Sequence, residues 1–528
     1  MKKIHFLVIG FFMIAASGCK KFLDVNKNPN GPSSADPALY LPSILNQYAA
    51  GLQLDARLIG PYVQNFQHSS AGVSYDLHGY AKSSDFGGDF WRSVYWRGGM
   101  NTIDMINNAR TQKKWDIVGA GLALQAYGWQ MLTDYTGPLI LKQAFDPARN
   151  LFDYDSQDTV YAFVERQCRE AIAELDKTTD GIGSPLFTKF DLMYKGDRTK
   201  WKKFVYGILA INAHHLIKKA SYNADSVIAF VDRSLASNAD DALVPFAGTS
   251  SADASAFGPR RQNFGVYGQS AFIVRLTDGT VFGGVKDPRQ PIMLAASLDS
   301  AFRGLTPGNG QSSALNAAKN GVRSVWGATL GTNVPPNPTP TTTPPYQPST
   351  SVWGKYLFQD ASSFPLMSYA ELQFIKAEAA YKKGDRAMAL AAYKNGVNAS
   401  LDYVRTFSSD PNLLASFNTQ RTAFLANPAV VPAAADLTVN QILLQKYIAL
   451  WGWGFIETWT DLRKYDYDGN VFTSFTLPTT LFPDNNNKPV YRVRPRYNSE
   501  YVWNIDALTK IGGFDPDYHT QKMWIQLP

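Results

Sequence analysis

Two acidic pairs, Asp153/Asp155 and Asp466/Asp468, are the first residues of this 528-residue chain whose type and spacing could do chemistry. Two carboxyl groups facing one another across a cleft could donate a proton and activate water, as glycoside hydrolysis requires. Closeness along the chain says nothing of a cleft, and among 44 acidic residues such pairs are expected by chance. A helical glycosidase is therefore the least favoured reading. His214-His215 suits a metal by residue type, but neighbours on a helix point about 100° apart and would not face one ion. Asp85-Phe86-Gly87 matches a kinase triplet without its accompanying glycine-rich loop, lysine or catalytic loop. No P-loop, G-x-S-x-G or H-E-x-x-H occurs. Asp24, Asn26 and Asn28 alternate as in a calcium loop, but Gly31 falls at the eighth position and Ala35 at the twelfth, which excludes an EF-hand. A structural calcium elsewhere is left open. Of the two cysteines, Cys168 lies between Val164 and Ile172 at helical spacing and reads as a small core residue.

The other cysteine has a different setting. Lys2 and Lys3 precede an apolar run, Ile4 to Ala16, that suits a signal h-region and is short for a membrane span. Ala16-Ser17-Gly18-Cys19 then resembles a bacterial lipobox, with Ala16 where Leu is commoner. Cleavage would leave Cys19 as an acylated N-terminus, and more than one acyl chain makes such anchoring stable. Residues 1–18 are thus read as a lipoprotein signal and 19–36 as a polar, Asn/Pro-rich tether. Removing Lys2 and Lys3 lowers the net charge from +7 to +5. That mild excess, without a Lys/Arg run, does not indicate nucleic acid.

The elements behind these residues are mostly helices. Asp36-Pro37 is a helix start. Helical periods follow from about Asp89 (weakened by Gly98-Gly99), over Ile117–Asp134, Thr159–Leu175, Lys200–Lys219 and 226–236, and again over Leu437–Trp451. The clearest pair spans Phe364–Ser400. There Ser368 and Glu371 have capping-box spacing, Leu372, Ile375 and Ala379 form a stripe, Gly384 stops the first helix and Asp385 caps the second. Met388, Ala391, Ala392 and Val397 are its expected inner face. The run AEAAYKKGDRAMALAAY resembles a tetratricopeptide unit, which cannot bury its own face without partners. Between these helices, His68–Gly88 reads as a long loop. From about 240 to 363 Gly, Ser, Asn and Pro dominate, with seven prolines within 334–348. Isolated aromatics there (Phe257, Phe264, Trp326, Tyr346, Trp353) and the alternating run Ala271–Leu276 favour loops packed on the helices over a disordered linker.

Taken in order, these pieces resemble the SusD/RagB outer-membrane lipoproteins of Bacteroidetes. The resemblance spans essentially the whole chain. It is carried by the lipobox and KKFLDVNKNPN, Trp91 and Tyr95 with Asn101, LTDYTGPL at 132–139 and FDYDSQDTVY at 152–161. Gly196-Asp197 with Trp201, Asp287-Pro288-Arg289, SYAELQFIKAEAAY at 368–381 and Gln445-Lys446-Tyr447 leading to Glu457, Trp459, Asp461 and Arg463 complete it. Arg463-Lys464 stands where the family often has two arginines, and Tyr497-Asn498 where it has Tyr-Pro; Glu500 and Asn504 still fit.

The resemblance implies a mostly α fold of tetratricopeptide-like helix pairs with a loop-rich insertion. It would form one domain over 37–528, with scaffold at 37–238 and 364–464, ligand loops at about 240–363 and C-terminal loops at 465–528. It further implies a protein without catalysis or cofactor other than the acyl chains on Cys19. Such a protein faces the cell exterior and passes an oligosaccharide to a SusC-type TonB-dependent transporter. Peptide capture, or a periplasmic tetratricopeptide adaptor, are the alternatives. Sugar rings offer apolar faces to Trp and Tyr, and their hydroxyls need polar partners. Trp91, Tyr95, Trp201, Tyr369 and Tyr381 read as packing. The expected ligand residues are loop aromatics with polar neighbours: Tyr75 and Tyr80 with Asp76 and His78, and Trp326 with Arg323.

Overall fold

The computed structural model describes residues 35–80, 83–179, 181–315, 319–331 and 354–528. The signal-like run, Cys19, the calcium-like alternation at Asp24–Asn28, the proline-rich stretch, Tyr346 and Trp353 lie outside them. The fold is the mostly helical one that the periodicities predict. Numbering only the longer helices, the chain runs α1 (Leu41–Tyr62), α2 (Gly99–Thr111), α3 (Trp115–Thr136), α4 (Gln157–Asp176), α5 (Arg198–His215) and α6 (Ala224–Arg233). It resumes with α7 (Tyr369–Lys383), α8 (Arg386–Arg405), α9 (Pro411–Ala426), α10 (Val439–Leu450) and α11 (Phe455–Lys464). Consecutive helices pack on one another from α2 to α8, and α7 also packs on α10. No helix among the described residues is long and apolar enough to cross a membrane.

The α7–α8 hairpin forms as its residues dictate. Ser368 accepts from Glu371 N while Glu371 returns to Ser368 N, and Asp385 accepts from Met388 N. Gly384 closes α7 at φ +91, a left-handed conformation that glycine adopts without steric cost. The inner face of α8 is Ala389, Ala392, Tyr393, Gly396, Val397 and Ser400. Ala391 is exposed and Met388 half-buried, so the buried stripe is turned from the expected one. The reason is the close approach at Gly396, which seats the Phe374 ring of α7. Alternation at Ala271–Leu276 is resolved as a short helix, Ala271–Thr277, capped by Ser270.

Between α6 and α7 the described residues pack onto the helices. Phe257 lies 4.9 Å from both Phe264 and Phe358, and Phe358 lies 5.7 Å from Trp451. Fully buried Arg289 is held by Asp287 and donates to Ser400 of α8 and Gln445 of α10. Two short ladders close the loops: β1 (Phe66–His68) with β3 (Tyr267–Gln269), and β2 (Ala242–Pro245) with β4 (Ser363–Met367), both antiparallel.

A buried ionic network ties α3, α5, α7, α10 and α11 together. Lys446 Nζ lies 2.5 Å from Glu457 and 2.9 Å from Asp461; Lys464 lies 2.8 Å from Glu378 and 2.7 Å from Asp461. His215 sits between Glu457 at 2.7 Å and Asp134 at 3.2 Å. Three cations thus meet four carboxylates, and Arg463 lies alongside, donating to the Asp134 backbone carbonyl at 2.8 Å. The adjacent pair His214-His215 is thus split between two partners, as its angular separation requires. Burial opposes protonation of His215, but Glu457 and Asp134 outweigh it and raise the imidazole to about 10. His214 is lowered by burial, against the pull of Glu378, and its ring hydrogen-bonds Glu378 at 2.9 Å and the Tyr222 hydroxyl at 3.2 Å.

Removing one partner from such a network leaves uncompensated buried charge, so His215→Gln is expected to cost about 3–5 kcal/mol in urea or guanidinium denaturation. Because the folded pKa lies above the unfolded value of about 6.5, the imidazolium's contribution is fully present below that pH. The gap between wild type and variant should therefore shrink as pH rises and be lost through about 10; a gap that widens with pH would contradict the assignment.

Candidate functional site

A cleft of about 370 Å³ opens where the chain entering α2 meets the C-terminal segment. Its first wall begins at α1, where buried Asp55 accepts from Asp89 N (3.1 Å) and Phe90 N (2.8 Å) and starts a short helix, Asp89–Arg92. Burial, helped by the Asp89 charge, raises the Asp55 carboxyl to about 7 against the pull of those amides. The helix then widens into a π-turn, Ser93–Arg97, closed by Gly98 N to Ser93 O at 2.9 Å. Such single wide turns recur at functional sites. A Cβ on Gly98 or Gly99 would collide with the carbonyls of Ser93 or Val94, so the glycine pair permits the chain to tighten into α2. Trp91 and Tyr95, read from sequence as packing, are packed with rings 4.8 Å apart and also line the cleft, and the Tyr95 hydroxyl donates to Ile140 O at 2.7 Å. Trp96, one step around the turn, is 67% exposed.

The second wall is another π-turn, Tyr497–Tyr501. Arg496 before it pairs with Asp85 at 2.7 Å, and Arg92 pairs with Asp89. Glu500 accepts from the Tyr154 hydroxyl at 2.7 Å and from Asn504 at 2.9 Å. Asn504 also binds both the carbonyl (2.8 Å) and the amide (3.3 Å) of Phe152, which fixes that loop. Trp96, Met100, Phe145 and Phe152 supply apolar surface; Arg92, Arg496, Ser499 and Glu500 supply polar groups. Around the cleft Arg92, Arg97 and Arg496 balance Asp85, Asp89 and Glu500, leaving no net charge. An exposed indole beside fixed, charge-neutral donors and acceptors can hold the apolar face and the hydroxyls of a neutral sugar.

None of the six residues expected at a ligand site lines this cleft. Tyr75 is half-buried and stacks on Phe86 at 4.6 Å. Asp76 is buried and accepts from His68 N at 3.0 Å, its carboxyl raised by burial to about 7. His78 is buried against Tyr62 and Tyr467, and burial lowers it to about 3. Tyr80 is buried and donates to Phe86 O at 3.0 Å. Trp326 is 1% exposed and donates to Phe257 O at 2.7 Å. Arg323 donates to Gly327 O at 3.0 Å, its guanidinium lowered by burial. The β1–β3 ladder brings the two groups near each other, but as loop core: these loops are long enough to bury their own aromatics. Of the six, only Tyr75 keeps part of its ring accessible. Sequence reasoning missed Trp96, Met100 and Arg496. The available signal was that Trp96 falls one residue beyond the Trp91/Tyr95 stripe, roughly 100° off its face, and directly before Arg-Gly-Gly.

The family model SusD-like_2, described as starch-binding associating with outer membrane, matches residues 29–494. No curated protein sequence matches the chain. Among solved structures, a SusD/RagB family protein from Bacteroides thetaiotaomicron VPI-5482 is 20% identical, with a TM-score of 0.65, covering 93% of this chain and 99% of its own. A SusD homologue from Bacteroides fragilis NCTC 9343 is 18% identical, with a TM-score of 0.67 and coverage of 93% and 99%. A chitin-binding SusD homologue from Flavobacterium johnsoniae is 19% identical, with a TM-score of 0.67 and coverage of 93% and 97%.

The cleft's dependence on the π-turn is testable at Gly99. A methyl group there would press on Val94 O and the Phe145 ring. Gly99→Ala is expected to lower stability by about 1–3 kcal/mol and to shift the emission of exposed Trp96. Unchanged stability and emission would show that the backbone does not need the glycine.

Proposed function

Because the chain belongs to the SusD-like family of starch-binding proteins associating with the outer membrane, we propose that it captures a neutral oligosaccharide in the Trp96 cleft without cleaving it. The observation that carries this reading is the exposed Trp96 ring above a wall of hydrogen-bonded, charge-balanced polar groups. An indole presented to solvent matches the apolar face of a pyranose, and fixed side chains meet its hydroxyls with little ordering cost on binding. The carboxylates at the cleft are each held by an arginine or by Tyr154 and Asn504. This suits them to position a sugar, not to move protons.

The anchoring and delivery follow from the same reading. Acyl chains on Cys19 hold the protein at the outer face of the outer membrane, and the helical scaffold meets a SusC-type TonB-dependent transporter that receives the ligand. Modest affinity favours such a hand-over. Peptide capture is the competing outcome, and a chain that binds peptides but no sugar would establish it. A periplasmic adaptor would be protected when intact cells are treated with protease.

Titration calorimetry with chitooligosaccharides, maltooligosaccharides and a peptide panel tests the ligand class. Trp96→Ala is expected to weaken oligosaccharide binding about tenfold or more, roughly 1.4 kcal/mol, with the denaturation midpoint unchanged because the ring is exposed. Binding should change little with added salt, since no net charge is neutralised. Equal affinity in the variant, or release of shortened products, would overturn the reading. Cys19→Ala is expected to leave the protein out of the membrane fraction; retention there would refute acyl anchoring.

A further inference from the structure

We infer that the groove beneath Trp503 is a second saccharide subsite, filled by the far end of the same oligosaccharide that occupies the Trp96 cleft. This rests on the reading of that cleft given above. Trp503 is 74% exposed, more than Trp96, and its ring stacks on no other aromatic among the described residues. An indole left this open contributes little to folding, since most of its apolar area stays in water. Beside it lies a groove of about 360 Å³, close in volume to the first cleft and within the range of small-ligand sites.

The two cavities share a wall. Phe152 lines both, and Asn504, which clamps the Phe152 backbone, lines the second. The crest between them is therefore pinned, so two saccharide subsites would sit at a constant separation. The composition also repeats. Each cavity has an exposed indole, arginine on its lining and acid–base pairs, the first reaching charge balance only with Arg97, Asp85 and Asp89 behind its lining. In the second, Arg149 and Lys510 offset Asp153 and Asp506, and Lys510 lies 2.9 Å from Asp153. Lys510 and Asp153 are 70% and 58% exposed, so the ammonium can donate to hydroxyls and the carboxylate accept from them while paired. A chain long enough to cross Phe152 meets the second subsite as an intramolecular event, at an effective concentration set by its own linkage. A short sugar meets only one. Ligand length, more than the identity of the terminal unit, then sets affinity.

Titration calorimetry with a chitooligosaccharide series from disaccharide to hexasaccharide, run beside a maltooligosaccharide series, tests this in the full mature chain. Wild-type affinity is expected to rise at least about tenfold once the chain spans both cavities, and Trp503→Ala to flatten that rise to the disaccharide value. Trp96→Ala should weaken every length. Both rings are exposed, so unchanged melting curves would exclude misfolding, and Trp503→Phe should restore part of the length dependence. If Trp503→Ala tracks wild type at all lengths, or weakens disaccharide and hexasaccharide equally, the second subsite is refuted while the Trp96 reading stands. If wild type binds no member of either series, or Trp96→Ala binds as wild type does, the reading of the first cleft fails and this inference falls with it.

Discussion

Lys446 and Lys464 do not reach water, and the scaffold depends on what they meet instead. An unpaired ammonium inside a protein is costly, so each lysine is tolerable only while Glu457, Asp461 and Glu378 stand beside it. Those carboxylates come from α7 and α11, the lysines from α10 and α11, and His215 adds α5 and, through Asp134, α3. Helices far apart in sequence are thereby required to dock in one register, because any other leaves a charge unmatched. Apolar packing alone would tolerate a slid helix more readily. Glu378 and Glu457 are held well below the ordinary carboxylate range: burial works against this, but Lys464 with His214, and Lys446 with His215, prevail. The network is thus charged at neutral pH, and its directionality supplies specificity beyond the hydrophobic energy around it.

A rigid helical array makes the opposite behaviour possible at its edge. Both walls of the cleft are π-turns, each placing one more residue in a turn than the α-helix would. The geometry is held from outside: Asp55 pins the start of the first, and Arg496 with Asp85 pins the start of the second. Trp96 and Trp503 are left in water beside these turns, whereas the neighbouring Trp91, Glu500 and Asn504 are buried. Exposed indoles on a fixed backbone need little ordering when a ligand arrives, which lets weak individual contacts yield useful and reversible binding.

The two classes of aromatic could not be told apart by composition. With 12 Trp, 27 Tyr and 31 Phe, loop position looked like the discriminator, and it pointed to Tyr80 and Trp326. Both are buried, since the long loops fold over their own aromatic clusters, such as Phe257, Phe264 and Phe358. Trp96 and Trp503, each beside a π-turn, are the exposed tryptophans among the described residues. The π-turn that displaces Trp96 is set by backbone contacts with Gly98 and Gly99 that leave no periodic trace. In the sequence this glycine pair reads only as a weakness.

Local rules were enough for most of the helices and for the α7–α8 hairpin with its caps, though not for α9, α11 or the short helix at Ala271–Thr277, because helical period and side-chain capping act within a few residues. Ser368, Glu371, Gly384 and Asp385 do in the structure what their spacing requires. The ordered motifs were likewise enough to place the chain in its family. Burial of a loop aromatic, the pairing of Lys446 with Glu457 and Asp461, and the meeting of residues 91–100 with 496–510 were decided only by the tertiary fold. Each depends on which segments far apart in the chain come together, and neither residue type nor spacing specifies that.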